Sequence, residues 1–185
     1  MKSTRKIAVI TGVVLIVATA AVLLASAFMP AVTGTDYLPR FSAQPGRTAA
    51  GALLYLIGYL ASAGVAVAMY PVLKERNVGL ALGSVVFRAI EAVFYLVGLA
   101  CLLSLSALGR QVASALPADR ASLQAVGDAL VSVRDHAGLL AVFAFCVGAF
   151  MYYTLLFRSR LVPRWLSGWG IVAITLMLVA CVLSL

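Results

Sequence analysis

Arg88 and Glu91 stand three residues apart inside an apolar run that extends from Leu80 to Leu105. On a helix that spacing is about one turn, close enough for a guanidinium and a carboxylate to pair. In lipid an ionisable side chain costs several kcal/mol unless it is paired or wetted, so these two demand a partner helix, a cavity or each other. Ser84, Arg88, Glu91, Tyr95 and Gly98 follow one another at spacings of four, three, four and three, which puts all of them on one stripe of a helix.

Two kinds of chemistry fit that stripe. In a polar pocket inside the membrane, Arg88 holds an anionic group and Glu91 accepts a proton. Alternatively the pair fixes helix register and does nothing further. Tyr55 and Tyr59, also one turn apart on the preceding apolar block, reach about the depth of the pair when residues are counted at about 1.5 Å each along two antiparallel helices. Their phenols are then expected to satisfy the carboxylate and the guanidinium, with Gly51, Gly58 and Ser62 letting those two helices approach closely. The candidate ligand-binding residues are Arg88, Glu91, Tyr95, Tyr55 and Tyr59.

Other constellations carry less. Asp135 and His136 are adjacent at the start of an apolar block, but neighbours on a helix point about 100° apart, so they read as a solvated cluster rather than a general base. The sequence has no nucleophile elbow, phosphate-binding loop or zinc-protease motif. No catalytic residue is therefore expected, and an enzyme acting on lipid is the least favoured class. Cys101, Cys146 and Cys181 fall inside apolar blocks without metal-ligand spacing, and a lone His cannot complete a site. They are expected to be buried core residues, with neither metal nor cofactor.

The elements that must position these residues follow from composition. The chain of 185 residues is 64% hydrophobic and 11% charged, with a mean hydropathy of +1.09. That is more apolar side chain than one soluble core can hide. A hydrocarbon layer of about 30 Å takes about 20 apolar residues of helix. Five blocks have that length: Ile7 to Met29, Ala49 to Leu73, Gly79 to Leu105, Ala137 to Phe157 and Trp165 to Leu185. They are continuous rather than alternating, which argues for helices over a barrel. The fold class is all-α: an integral membrane helical bundle of five transmembrane helices in one domain. The first block follows a basic start and contains Ala25-Ser26-Ala27, a signal-peptidase-like site, but its length favours a retained helix.

Between the blocks, the Lys74–Asn77 turn makes the second and third helices antiparallel neighbours. Pro30 to Thr48, with Pro30, Pro39 and Pro45, reads as an irregular loop packed over the bundle mouth. Ser106 to His136 reads as a long outer loop. Within it Leu123, Val126, Leu130 and Val133 recur at helical spacing, so an amphipathic helix is expected over about 119–134, capped by Asp119. That helix either lies on the outer leaflet or runs into the fourth span with a bend at Gly138. Trp165 and Trp169 are expected at headgroup depth.

The net charge of +8 does not argue for nucleic acid, because the basic residues flank the apolar blocks. Threading the spans puts Lys2, Arg5, Lys6, Lys74, Arg76, Arg158, Arg160 and Arg164 on one side, and Arg40, Arg47, Arg110, Arg120 and Arg134 on the other. The richer side marks the cytoplasm, which places the N-terminus inside and the C-terminus outside.

The stretches Gly34-Thr-Asp-Tyr-Leu38, Ala68-Met-Tyr-Pro-Val-Leu73, Gly79-Leu-Ala-Leu-Gly83, Phe87-Arg-Ala-Ile-Glu-Ala92, Gly148-Ala-Phe-Met-Tyr-Tyr153 and Arg158-Ser-Arg-Leu-Val-Pro-Arg-Trp-Leu-Ser-Gly-Trp-Gly170 resemble the bacterial membrane-protein family called domain of unknown function 4386. The resemblance spans nearly the whole chain and implies a multi-pass protein of a prokaryotic plasma (inner) membrane. It implies no reaction or ligand, so no catalytic residue is carried over. It also implies a further apolar segment after the fifth, where this sequence stops at Leu185, and so leaves open whether a sixth helix closes the pocket. The expected partners are the lipid bilayer, a small-molecule or lipid-like ligand, and a second copy or another membrane protein. Binding or transport of that ligand around Arg88 and Glu91 is the leading functional expectation; a structural or regulatory membrane subunit locked by the pair is the alternative.

The charge distribution makes a topology prediction. Reporter fusions after Lys74 and Arg160 are expected to report cytoplasm, and fusions within residues 39–46 or 118–125 to report the outside. A cytoplasmic signal from residues 118–125 would be incompatible with five spans.

Overall fold

A computed structural model describes residues 2–34 and 36–184. The chain is 89% helical, and no strand occurs among the described residues. The helices are α1 (Lys2–Phe28), α2 (Tyr37–Ala43), α3 (Pro45–Leu73), α4 (Val78–Ser114), α5 (Pro117–Ser159) and α6 (Arg164–Leu183). All but α2 are long and apolar enough to cross a membrane. Proline opens α3 and α5, where its missing N–H would have had no partner. The Asn77 side chain accepts a hydrogen bond from the Leu80 N–H at 2.9 Å and caps α4. Arg160 ends α5 in the left-handed region, φ 55°, and turns the chain toward α6. Asp119 does not cap α5 as expected: Leu116 holds the cap position, and Asp119 lies in the first turn, where its carboxylate faces the positive end of the helix dipole.

The stretch 106–136, expected as an outer loop carrying a helix over about 119–134, is almost entirely helical. α4 continues to Ser114 and α5 begins at Pro117. At about 1.5 Å per residue these helices are roughly 55 Å and 65 Å long, so both overshoot a hydrocarbon layer of about 30 Å. The overshoot is stable because it has its own apolar core. Leu102, Leu105 and Leu108 of α4 bury against Tyr37, Leu38 and Phe41 of α2, with Leu123, Leu130 and Val131 of α5 packed on them. The expected stripe on α5 therefore divides. Leu123 and Leu130 face this core, whereas Val126 and Val133 are each 51% exposed. At about 100° per residue those valines fall about 60–80° to one side of Leu123, while Gly127 and Arg134 lie within about 40° of it on the other. α5 passes Gly138 uninterrupted, so the helix runs straight into the fourth span.

Where an irregular loop was expected over the mouth, α2 forms a short cap. Its Tyr37 hydroxyl donates to Asp128 at 2.6 Å, and Gln124 donates to the same carboxylate oxygen at 3.1 Å. Two glycines make room for it. A Cβ on Gly109 would collide with the Leu38 carbonyl, and one on Gly127 would come within 2.7 Å of the Tyr37 hydroxyl.

The long helices form a row in which α1 packs on α3, α3 on α4, α4 on α5 and α5 on α6. Gly51 and Gly58 were expected to serve the approach of α3 to α4, but both face α1. A Cβ on Gly58 would lie 3.2 Å from the Ala18 carbonyl, and Ala18, Ala21 and Ala25 are buried in that seam. Small residues on both partners bring the backbones together, which is how helices associate where the hydrophobic effect gives no drive. On the other flank, a Cβ on Gly148 of α5 would lie 2.9 Å from Phe87 of α4. Cys101, Cys146 and Cys181 are free and buried.

The α2 cap yields a prediction in two parts. Gly109→Val is expected to expel the cap at a cost of about 1–3 kcal/mol, read as faster amide exchange over residues 37–43. Burial pushes the Tyr37 phenol above its ordinary value of 10.0, and the hydrogen bond to Asp128 and its charge push the same way. A phenol kept neutral in the docked cap but free to ionise when released stabilises docking fully below about pH 10 and loses that effect above it. Exchange over the cap should therefore accelerate above pH 10, and Tyr37→Phe should abolish that step.

Candidate functional site

The site is built on α4, the middle helix of the row. Arg88 Nη1 donates to Glu91 Oε2 at 2.7 Å within one turn. The side chains are 18% and 8% exposed, so the pair is largely withdrawn from the surroundings. α5 supplies the next contact: the Arg88 guanidinium lies over the Phe145 ring, 4.8 Å from its centroid, where the ring's negative face attracts a cation. Arg88 Nε and its second amino group have no protein hydrogen-bond partner among the described residues, and neither is sealed off. The guanidinium is thus paired on one edge and free on the other.

Both members of the pair line a cavity of about 430 Å³. Arg88, Glu91, Tyr95, Tyr59 and Ser62 form its polar end; Leu15, Val22 and Leu23 of α1 and Met177 of α6 line the rest. α1 and α6 end the row and share no extended seam, so the cavity is a groove between them.

The tyrosines do not act as expected. No hydroxyl of Tyr55, Tyr59 or Tyr95 hydrogen-bonds to Glu91 or Arg88 among the described residues. Instead the three rings form a column: Tyr55 stacks on Tyr59 at 5.4 Å, and Tyr59 stacks on Tyr95 at 4.8 Å and 13°. Such stacks contribute about 0.5–1.5 kcal/mol beyond their area and tie no polar atom. Tyr59 and Tyr95 line the cavity with the ion pair, whereas Tyr55 lines a second cavity of about 470 Å³ on the other side of the stack.

That second cavity contains residues outside the expected site, Arg134 and Asp135, paired at 3.4 Å. Their signal in the sequence was position. Arg134 lies about 20° from Leu123 on the α5 wheel, and so falls on the face turned toward α4. His136 takes another direction, its Nδ1 lying 2.7 Å from the Ser132 carbonyl. Among the described residues no three His, Cys, Asp or Glu side chains converge as a metal site requires.

Residues 10–185 match the family described as Domain of unknown function (DUF4386). The chain belongs to the DUF4386 family. No curated protein and no solved structure matches it. In this DUF4386 chain the segment Phe87 to Ala92 carries the ion pair and its contact with Gly148, while Arg158 to Gly170 makes the turn from α5 into α6.

Removing one partner of a buried pair leaves an uncompensated charge, typically a loss of about 3–5 kcal/mol, whereas replacing both by apolar groups of similar size is often tolerated. Arg88→Met or Glu91→Leu alone is expected to lower the thermal unfolding midpoint in detergent, and the double change to recover most of the loss. Two harmless single changes would mean that the side chains are not buried together.

Proposed function

We propose that this DUF4386 protein binds a small or lipid-like amphiphile in the groove between α1 and α6, with the polar group at Arg88 and Glu91 and the apolar part against α1 and α6. The observation that carries this reading is the cavity of about 430 Å³ lined by both Arg88 and Glu91. A pair that served only to lock helices needs no such space. The volume falls in the range of about 300–1,000 Å³ usual for ligand pockets, with mostly apolar walls and a few convergent polar groups. In this reading the protein lies in a bacterial plasma membrane with its N-terminus in the cytoplasm, and passage of the ligand between leaflets is a natural extension of binding at mid-depth. A second reading, a structural or regulatory subunit, is supported by the 2.7 Å bond and the Phe145 contact, which satisfy much of the pair without a ligand.

The two readings part in one experiment. In nanodiscs containing a phospholipid with a diazirine in its acyl chain, photolabelling is expected on Val22 and Met177 above the level on Leu176, which faces outward at 66% exposure. The Arg88→Met/Glu91→Leu double variant should fold and lose that excess. Equal labelling of groove and outer surface, unchanged in the double variant, would favour the lock.

A further inference from the structure

The groove at Arg88 does not end at backbone. One wall is the Tyr59–Tyr95 stack, and across the same two rings lies the cavity that holds Arg134 and Asp135; Tyr59 and Tyr95 are common to both linings. The rings come from different helices, and neither hydroxyl is hydrogen-bonded or sealed among the described residues. Rotating Tyr95 therefore breaks one stack, and rotating Tyr59 two, with no hydrogen bond lost in either case. A Cβ on Gly98, one turn beyond Tyr95, would touch the Arg134 stem at 3.7 Å, so Arg134 continues the stripe that begins at Ser84.

Each cavity presents the same chemistry: a guanidinium beside a carboxylate, at 2.7 Å in one and 3.4 Å in the other. We infer that Arg134–Asp135 is a second binding station for the ligand of the Arg88–Glu91 groove, that Tyr59–Tyr95 is the gate between the stations, and that the ligand is a zwitterionic amphiphile. This rests on the groove being a binding site, as proposed above. Each station is neutral as a pair. At the sheltered Arg88–Glu91 pair a purely anionic ligand would claim the arginine and strand the carboxylate in a medium of low dielectric, whereas a ligand with both an anion and an ammonium meets both partners.

The test uses the full chain in nanodiscs, with Cys101, Cys146 and Cys181 changed to Ala and Ser62→Cys as a reporter on the groove side of the gate. A cationic, membrane-impermeant methanethiosulfonate should modify that thiol slowly in the parent. Tyr59→Ala or Tyr95→Ala should accelerate it about tenfold, the equivalent of about 1.4 kcal/mol. Tyr59→Phe, which keeps the ring, should leave the rate unchanged. If Tyr59→Ala lowers the folded yield, Tyr95→Ala and Tyr59→Leu give the same reading. Dodecylphosphocholine below its micelle concentration should protect the thiol, and dodecyl phosphate should not. Unchanged rates in the alanine variants overturn the gate, and equal protection by the two amphiphiles overturns the zwitterionic assignment. Diazirine labelling of Val22 and Met177 that persists in the alanine variants would show that such a failure lies in the gate and not in the groove.

Discussion

The contact between Arg88 and Glu91 constrains the helices around it. Either ion alone in an apolar medium carries a desolvation penalty of several kcal/mol, and even a good pair offsets this only when its remaining hydrogen-bonding capacity is met. The first consequence is position: α4 lies in the middle of the row, flanked by α3 and α5, so that its charged stripe is turned away from lipid. The second is the choice of neighbour, because Phe145 presents the face of an aromatic ring to the guanidinium. The third is that the pair leaves donors over. A lone i, i+3 bridge uses one edge of the fork, and the other edge needs water or a ligand.

Small residues decide where space is spent. Ala18, Ala21 and Ala25 of α1 meet Gly51 and Gly58 of α3, and Gly148 of α5 meets α4 at Phe87. Each seam is close because a Cβ is missing on at least one side, and van der Waals contact then replaces the hydrophobic drive that lipid cannot supply. No such seam joins α1 to α6, where Leu15, Val22 and Met177 face a gap instead. Tight seams along the row and none across its open side produce a groove that Arg88, Glu91 and Tyr95 of α4 line.

Much of this was legible in the sequence, for a physical reason. The requirement that backbone be satisfied within each segment makes long apolar runs read as helices, and an i, i+3, i+4 stripe reads as one face. The five spanning helices and the alignment of Ser84, Arg88, Glu91, Tyr95 and Gly98 on α4 needed nothing more. What a single sequence does not carry is which helix meets a given face. Gly58 announces a close approach without naming α1 as the partner, and Tyr59 announces a ring without saying whether its hydroxyl or its face is used. The continuation of α4 was obscured by polarity, because residues 106–118 look like a loop until α2 is seen to supply the apolar partner for Leu105 and Leu108.

The two ion pairs differ in a way that orders the site. Arg134 and Asp135 are 37% and 60% exposed and 3.4 Å apart, whereas Arg88 and Glu91 are 18% and 8% exposed and 2.7 Å apart. A more exposed pair is worth less where water competes for both partners, and is correspondingly easier for an incoming group to displace. A drier pair holds a matched ligand more strongly, because the same charges act in a lower dielectric. In the proposed reading, a polar group moving from the α2-capped end to the middle of α4 passes from the more exposed pair to the more sheltered one. The cap lies at the same end: α2 rests on the α4–α5 extension and bonds Asp128 through Tyr37, while Arg134 lies on the line of the α4 stripe.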